Sequence, residues 1–293
     1  MDWPFLMLFF FGGLSALLLL GLPVAFAFLC VNVIGVYVFW GGAIGLQQLI
    51  LSIDSSISTF VLVPVPMFIL MGTVIFHSGI AYRMIDVLDE WLGKIAGRLA
   101  LLSIGAGALF ATLTGVAMGS VAMLGSTLVP DMERRGYSKS MSIGPILASG
   151  SLAIMIPPSA LGVILASMGQ FSVGKLLIGI LLPGLLLAVV YATYVVIRCH
   201  IQPHLAPPYE VAPTPIGPRI MRTLQYVLPL VIIISIVIGT IFAGVATPTE
   251  AAALGALFCF LLVACYGKLT WQVITKSVAA ATTISVMVFV ILT

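Results

Sequence analysis

The residues of this sequence that could do chemistry are small or polar groups set inside long apolar stretches, and the first set is Thr114–Ser120. It lies midway through an apolar run over residues 99–132. If that run forms a re-entrant hairpin with its tip here, the unpaired backbone N–H and C=O groups of the tip lie inside the membrane. Proteins tolerate such groups there only where the groups line a cavity or bind a ligand. The candidate ligands at the tip are Thr114, Gly115, Gly119 and Ser120. The alternative is a straight helix that packs through its small residues.

The second set, Pro157, Pro158 and Ser159, follows Ile156 inside an apolar stretch over residues 142–170. Two adjacent prolines remove two backbone donors and drive the preceding residue out of the helical region. The pattern therefore predicts an unwound break in a membrane-spanning helix, whose two half-helix ends can hold an anion and a cation. A structural kink without a ligand is the alternative.

The third set, Thr247, Pro248 and Glu250, opens an apolar segment near the end of the sequence. Glu250 is the last acidic residue in the sequence. A carboxylate is favourable at a helix N-terminus because the first amide groups there are positively polarised. We interpret this set as a helix start with Thr249 as the N-cap, and the alternative is a contribution to a binding site.

The composition makes lipid the solvent for the elements that position these sets. Of the 293 residues, 61% are hydrophobic and 7% are charged, and the mean hydropathy is +1.26. Soluble domains carry about 25% charged residues, so soluble enzymes, nucleic-acid binders and disordered proteins are excluded. No Walker A segment and no zinc-binding pair is present, so neither ATP hydrolysis by that route nor a zinc site is expected. The sequence predicts an all-α polytopic membrane protein.

Apolar stretches separated by polar or Pro-rich segments set the order of the predicted helices. Residues 5–40 form either two spans in a tight hairpin or one long kinked helix, because Gly21–Pro23 interrupts them. The later elements are an amphipathic interfacial arm helix over 80–98, the hairpin over 99–132, the broken helix over 142–170, a span over 176–199 and a Pro-rich loop over 201–219.

The two ends of the sequence carry a weak internal repeat. The segment after Pro23 resembles the one after Pro248, and each opens an apolar span followed by a polar-interrupted segment and a further apolar run. This order predicts an inverted-repeat transporter, with residues 1–200 as the first copy and residues 220–293 as the start of a second, incomplete copy. Most of the twelve Lys and Arg residues fall on one side if 99–132 is re-entrant, and that side should be cytoplasmic.

Long segments of the sequence resemble the large membrane subunit (M or DctM type) of tripartite ATP-independent periplasmic (TRAP) transporters. The matching segments extend over the whole chain. They are Gly21–Ala27, Val65–Gly72, Val129–Tyr137, Ile156–Ser159 and Ala246–Gly255.

The resemblance implies an elevator-type secondary transporter of the bacterial inner membrane, with re-entrant hairpins and broken helices. It implies uptake of a small organic acid, of the C4-dicarboxylate or a related carboxylate class, with sodium as the coupling ion and no other metal or cofactor. The implied partners are a small four-helix membrane subunit (Q type), a periplasmic solute-binding protein (P type) and lipid, without nucleic acid. The hairpin tip and the proline break would form half of the sodium and substrate site.

The tip departs from the family pattern Ser-Gly-Ser-Ser-Val-Ala-Thr, since Val116 and Ala117 replace two serines and Ser120 replaces the last threonine. Backbone ligands survive such changes but hydroxyl ligands do not, so the first sodium site is expected to be altered. Members of the family are longer, so a second tip and break are expected beyond Thr293, and residues 1–293 by themselves are expected not to transport. Two alternatives stay open, a divalent-anion/sodium symporter that acts alone and a non-transporting membrane scaffold fragment.

Overall fold

The computed structural model describes residues 3–93, 95, 97–115, 117–207 and 215–292, without the side chains of Ala111, Thr114 and Met118. The described residues form helices and connecting turns, with no strand among them. They fall into two compact units, one comprising the residues up to Phe60 with those from Thr282 onward, and one comprising Val61–Ala281. The all-α prediction is confirmed.

The first unit contains α1 (Trp3–Leu19), α2 (Val24–Phe39) and α3 (Ala43–Ile57). The chain reverses between α1 and α2 at Gly21, whose φ of +82° is accessible mainly to glycine. The ring of Phe9 lies 5.2 Å from that of Phe39, so the start of α1 packs against the end of α2. Residues 5–40 are therefore a hairpin of two helices rather than one kinked helix.

The second unit contains most of the longer helices. In chain order they are α4 (Pro64–His77), α5 (Ile80–Trp91), α6 (Arg98–Thr114), α7 (Ala117–Arg134), α8 (Lys139–Met155), α9 (Ala160–Met168), α10 (Val173–Ile201), α11 (Ile216–Phe242), α12 (Pro248–Cys265) and the first part of α13 (Trp271–Leu292). Among the described helices, five are long and apolar enough to cross a membrane, and the bent pair α8 and α9 makes a sixth span if counted as one. The chain is a multi-pass membrane protein.

The helices α6 and α7 form an antiparallel hairpin around Gly115. A Cβ atom placed on Gly107 in α6 would lie 3.3 Å from the Cδ1 atom of Leu124 in α7, and these two residues are about equally far along the chain from Gly115. The same Cβ atom would lie 2.3 Å from the Cβ atom of Ser149 in α8. The chain thus turns back at Gly115 instead of continuing as the straight helix that was the alternative, and small residues let the hairpin pack closely on α8. That the hairpin is re-entrant in the membrane stays a prediction.

Both ends of this hairpin lie at one end of the second unit, which we call the basic end. The backbone N–H of Leu99 donates to the hydroxyl of Tyr137 at 3.4 Å, and the N–H of Ser138 donates to the carbonyl of Leu205 at 2.9 Å. These contacts bring together the start of α6, the loop after α7 and the end of α10. The basic residues of these segments include Arg98, Arg134, Arg135, Lys139 and Arg198. The chain therefore enters and leaves the hairpin at the same end, as the charge pattern predicts.

The predicted arm helix is shorter than expected. Its amphipathic character is confirmed over Ile80–Trp91, where the apolar side chains of Ile80, Met84 and Ile85 are buried. The helix ends after Trp91 because Gly93 and Gly97 adopt positive φ values of +55° and +73°. The prediction that it continues to residue 98 is wrong, since Arg98 opens the next helix. Lys94 and Ala96 lie outside the described residues.

The predicted Pro-rich loop over 201–219 is also shorter in the described part of the chain. The helix α10 continues to Ile201, and α11 begins at Ile216. Residues 203–205 form a short 3-10 turn, and residues 208–214 lie outside the description. The predicted span over 176–199 and broken helix over 142–170 are present with slightly different ends.

Candidate functional site

The prolines at 157 and 158 interrupt the helix as predicted. The axes of α8 and α9 differ by 47°, and Ile156 between them has an extended backbone with φ of −102° and ψ of +116°. The peptide bond between Pro157 and Pro158 is cis. Ser159 is fully buried and caps α9, with its Oγ accepting a hydrogen bond from the N–H of Gly162 at 3.1 Å. The break is thus an ordered four-residue segment between two half-helices.

The hairpin tip lies directly against this break. Gly115 has a φ of +60°, and a Cβ atom placed on it would lie 3.0 Å from the backbone nitrogen of Ala160 and 3.4 Å from the carbonyl oxygen of Pro158. A Cβ atom placed on Gly150 of α8 would lie 3.6 Å from the Cβ atom of Ala117. Because side chains would separate these backbones, the small residues create the contact. The predicted juxtaposition of tip and break is confirmed.

Four half-helix ends therefore meet at one place. The C-termini of α6 and α8 bring carbonyl groups with partial negative charge, and the N-termini of α7 and α9 bring amide groups with partial positive charge. Such a set can hold a cation at the carbonyl ends and an anion at the amide ends. No side-chain charge is needed for either. Among the described residues, there is no group of three or more His, Cys, Asp or Glu side chains that could hold a metal ion.

The predicted tip residues differ in how they relate to this meeting point. Gly115 lies at its centre, while the side chain of Thr114 and all of Val116 are outside the described residues. Ser120 is buried one turn into α7, and its hydroxyl donates to the carbonyl of Ala117 at 3.0 Å. A Cβ atom placed on Gly119 would have no described neighbour within 4 Å, so this glycine is not needed for packing.

The third set forms a local helix cap. The N–H of Thr247 donates to the carboxylate of Glu250 at 2.8 Å, and the N–H of Glu250 donates back to Oγ1 of Thr247 at 3.3 Å. Pro248 occupies the first helical position, where its missing donor costs nothing. The helix start is confirmed, but the predicted N-cap is wrong, because Thr247 rather than Thr249 fills that position. A part for these residues in binding stays a prediction.

Two residues that support the break were not singled out from the sequence. A Cβ atom placed on Gly184 of α10 would lie 2.6 Å from the carbonyl oxygen of Met155, the last residue of α8. The hydroxyl groups of Ser151 in α8 and Tyr191 in α10 are hydrogen-bonded at 3.0 Å. The available signal for Gly184 was its small size, directly after Pro183, within a span otherwise rich in leucine and valine.

Replacing Ser159 by alanine is expected to lower the melting temperature of the detergent-solubilised protein by about 2–4 °C. The change removes one capping hydrogen bond, worth about 1 kcal/mol in the free energy of unfolding. Ser172→Ala is the matched control, because Ser172 also occupies an N-cap but its side chain makes no capping bond. Equal melting temperatures for the two variants would contradict the assigned cap.

The sequence model of the family described as "Tripartite ATP-independent periplasmic transporter, DctM component" matches residues 11–293. The chain is 32% identical to the C4-dicarboxylate TRAP transporter large permease protein of Rhodobacter capsulatus, over 98% of this chain and 67% of that protein. It is 31% identical to the ectoine TRAP transporter large permease protein of Halomonas elongata, over 84% and 56%. It is 29% identical to the isethionate TRAP transporter permease protein of Oleidesulfovibrio alaskensis, over 87% and 39%. The chain thus spans two thirds or less of the length of these relatives.

Proposed function

Because the chain belongs to the DctM component family of TRAP transporters, we propose that it carries a small organic anion across the bacterial inner membrane together with sodium ions. Permease subunits of this kind are transporters and not enzymes. The named solutes of the similar proteins differ, being a C4-dicarboxylate, ectoine and isethionate. The site favours an anionic group of any kind, so our proposal of a carboxylate such as a C4-dicarboxylate rests on the similarity to the C4-dicarboxylate permease.

The observation that carries the proposal is the meeting of four half-helix ends at Gly115 and the proline break. The amide ends of α7 and α9 favour the negatively charged group of a solute, and the carbonyl ends of α6 and α8 favour sodium. The hydroxyl oxygen of Ser159 already accepts the hydrogen bond that caps α9. With Val116 and Ala117 at the tip, we assign the sodium ligands mainly to backbone carbonyl groups.

The transport step that fits this arrangement is an elevator movement. The helices α6 to α9 pack on one another through small residues such as Gly107 and Gly150, so they can move as one body with the bound solute. We assign the periplasmic solute-binding protein the task of delivering the solute, and the small membrane subunit the task of anchoring the permease. Both partners are properties of the family that we extend to this chain.

The test is uptake into proteoliposomes that contain the whole gene product and its small membrane subunit. The solute is the ligand found for the cognate binding protein by a thermal-shift screen of carboxylates. We expect uptake only with an inward sodium gradient and with the binding protein present outside. Uptake that continues without the binding protein would favour a symporter that acts alone. No uptake in any arm would favour a non-transporting scaffold.

A further inference from the structure

A cavity of about 480 Å³ opens at the basic end of the second unit, apart from the hairpin tip and the proline break. It lies where α4 ends, α5 begins, α11 passes through its first turns and α12 ends. Its polar lining includes Ser78, Arg83, Gln225, Tyr226, Tyr266 and Lys268. Arginine, lysine and hydroxyl donors in one cavity form a set that suits an anion.

The positive charges of Arg83 and Lys268 are not balanced by acidic residues in the lining of the cavity. No Asp or Glu lines it, and within the described part of the chain neither Arg83 nor Lys268 has a carboxylate within 4.0 Å. Other arginines of the second unit do, since Arg98 pairs with Asp89 and Arg222 with Glu90. Asp86, one turn along α5 from Arg83, is not part of the lining; burial and the neighbouring Asp89 and Glu90 raise its pKa, and Arg83 opposes that rise only in part.

The arginine is held in place by aromatic rings. Its Nη1 donates to the hydroxyl of Tyr226 at 3.1 Å, and its Cζ lies 5.5 Å from the centre of that ring. Tyr226 stacks on Tyr266 at 5.7 Å, and the hydroxyl of Tyr266 donates to the carbonyl of Gln225. Burial raises the pKa of Tyr266, so its hydroxyl stays neutral. A guanidinium has five N–H donors, so Arg83 keeps several for a ligand.

The position of the cavity indicates which kind of molecule carries the anionic group. It lies at the ends of membrane-spanning helices, the depth at which phospholipid headgroups and tyrosine side chains collect. Within two positions of lining residues along the chain, Leu224, Leu228 and Leu269 expose apolar side chains, which suit contact with acyl chains. We propose that this cavity binds the phosphate group of an anionic phospholipid, with Arg83 and Lys268 as its charged ligands.

The experiment measures lipid binding to the detergent-purified gene product by native mass spectrometry, with melting temperature as a second readout. The probes are phosphatidylglycerol, phosphatidylcholine and soluble glycerol 3-phosphate. We expect phosphatidylglycerol to bind and to raise the melting temperature, with little effect from the other two. Arg83→Gln and Lys268→Gln should each weaken phosphatidylglycerol binding about fivefold, the effect of one partly exposed charge contact.

Lys175→Gln is the matched control, since it removes one positive charge from the first turn of α10, at the opposite end of that helix from Arg198. It should leave phosphatidylglycerol binding unchanged. Lys268→Gln does not touch the tyrosine pair, so it separates loss of the site from loss of the local fold. Unchanged binding in both cavity variants, an equal loss in the control, or an equal effect of glycerol 3-phosphate would each overturn the proposal.

Discussion

Gly184→Ala is expected to reduce sodium-driven solute uptake by at least about tenfold while the protein still reaches the membrane. The added methyl group would lie 2.6 Å from the carbonyl oxygen of Met155 and 2.8 Å from its carbonyl carbon, both backbone atoms of the last residue of α8. Backbone cannot rotate away as a long side chain can, so the end of α8 must shift. A displacement of about 1 Å in a positioned site can cost a hundredfold in rate.

The same helix supplies a control. A Cβ atom placed on Gly179 of α10 meets no described atom within 4 Å, so Gly179→Ala should keep uptake within about twofold and leave stability equal or slightly improved. Both variants are measured in the proteoliposome assay at equal protein content, with melting temperatures recorded in parallel. Normal uptake by Gly184→Ala would show that transport does not depend on the position of the end of α8 at the proline break.

Arg98→Met is expected to lower the free energy of unfolding by about 2–3 kcal/mol, which appears as a fall in melting temperature of about 4–10 °C. The side chain of Arg98 is only 3% exposed, and its guanidinium contacts both carboxylate oxygens of Asp89 at 2.7 Å. It also donates to the carbonyl of Gly93 at 3.1 Å and to that of Asp89. Methionine fills similar space but leaves Asp89 without its cation. We take the effect below the full value for a buried pair because Asp89 is 30% exposed.

Arg134→Met is the matched control, because Arg134 is exposed in the last turn of α7 and makes no ion pair among the described residues. Its melting temperature should stay within about 1–2 °C of the unchanged protein, as for most surface substitutions. If the two variants melt together, the ion pair of Arg98 is not a stabilising link between α5 and α6.

The parts of the site that the sequence predicts are those governed by local backbone chemistry. Adjacent prolines must interrupt a helix wherever it packs, so Pro157 and Pro158 placed the break correctly. The glycine at 115 allowed the reversal of the hairpin, although the sequence alone left a straight helix open. The end of the arm helix was missed because the pattern of charges continues to Arg98, whereas the positive φ of Gly93 and Gly97 ends the helix earlier.

The parts that the sequence does not predict depend on contacts between residues far apart in the chain. Gly184 contacts Met155 although the two residues are far apart in the sequence, and no local sequence pattern indicates this contact. Arg83 and Lys268 are distant in sequence and line one cavity only because α5 and the residues after α12 lie together in the fold. Arg98 was predicted as one of many interfacial charges, and only the packing of α5 on α6 shows that it is buried. Such long-range placement is set by tertiary packing and not by propensity.

Because the broken helix is attached to α10, the length of α10 must suit the thickness of the hydrocarbon layer when the broken helix moves. Since Gly184 and Tyr191 fix α10 to α8, a moving body that includes the break must carry α10 with it. This helix has 29 residues and is therefore about 43 Å long, against a hydrocarbon layer of about 30 Å. Its charged residues, Lys175 and Arg198, lie near its two ends. Their long side chains can extend toward the nearer membrane interface, so the charged groups stay in the headgroup region. The uncharged stretch between Lys175 and Arg198, residues 176–197, is about 33 Å long, so α10 can tilt or move by a few ångströms while lipid still covers a full apolar span.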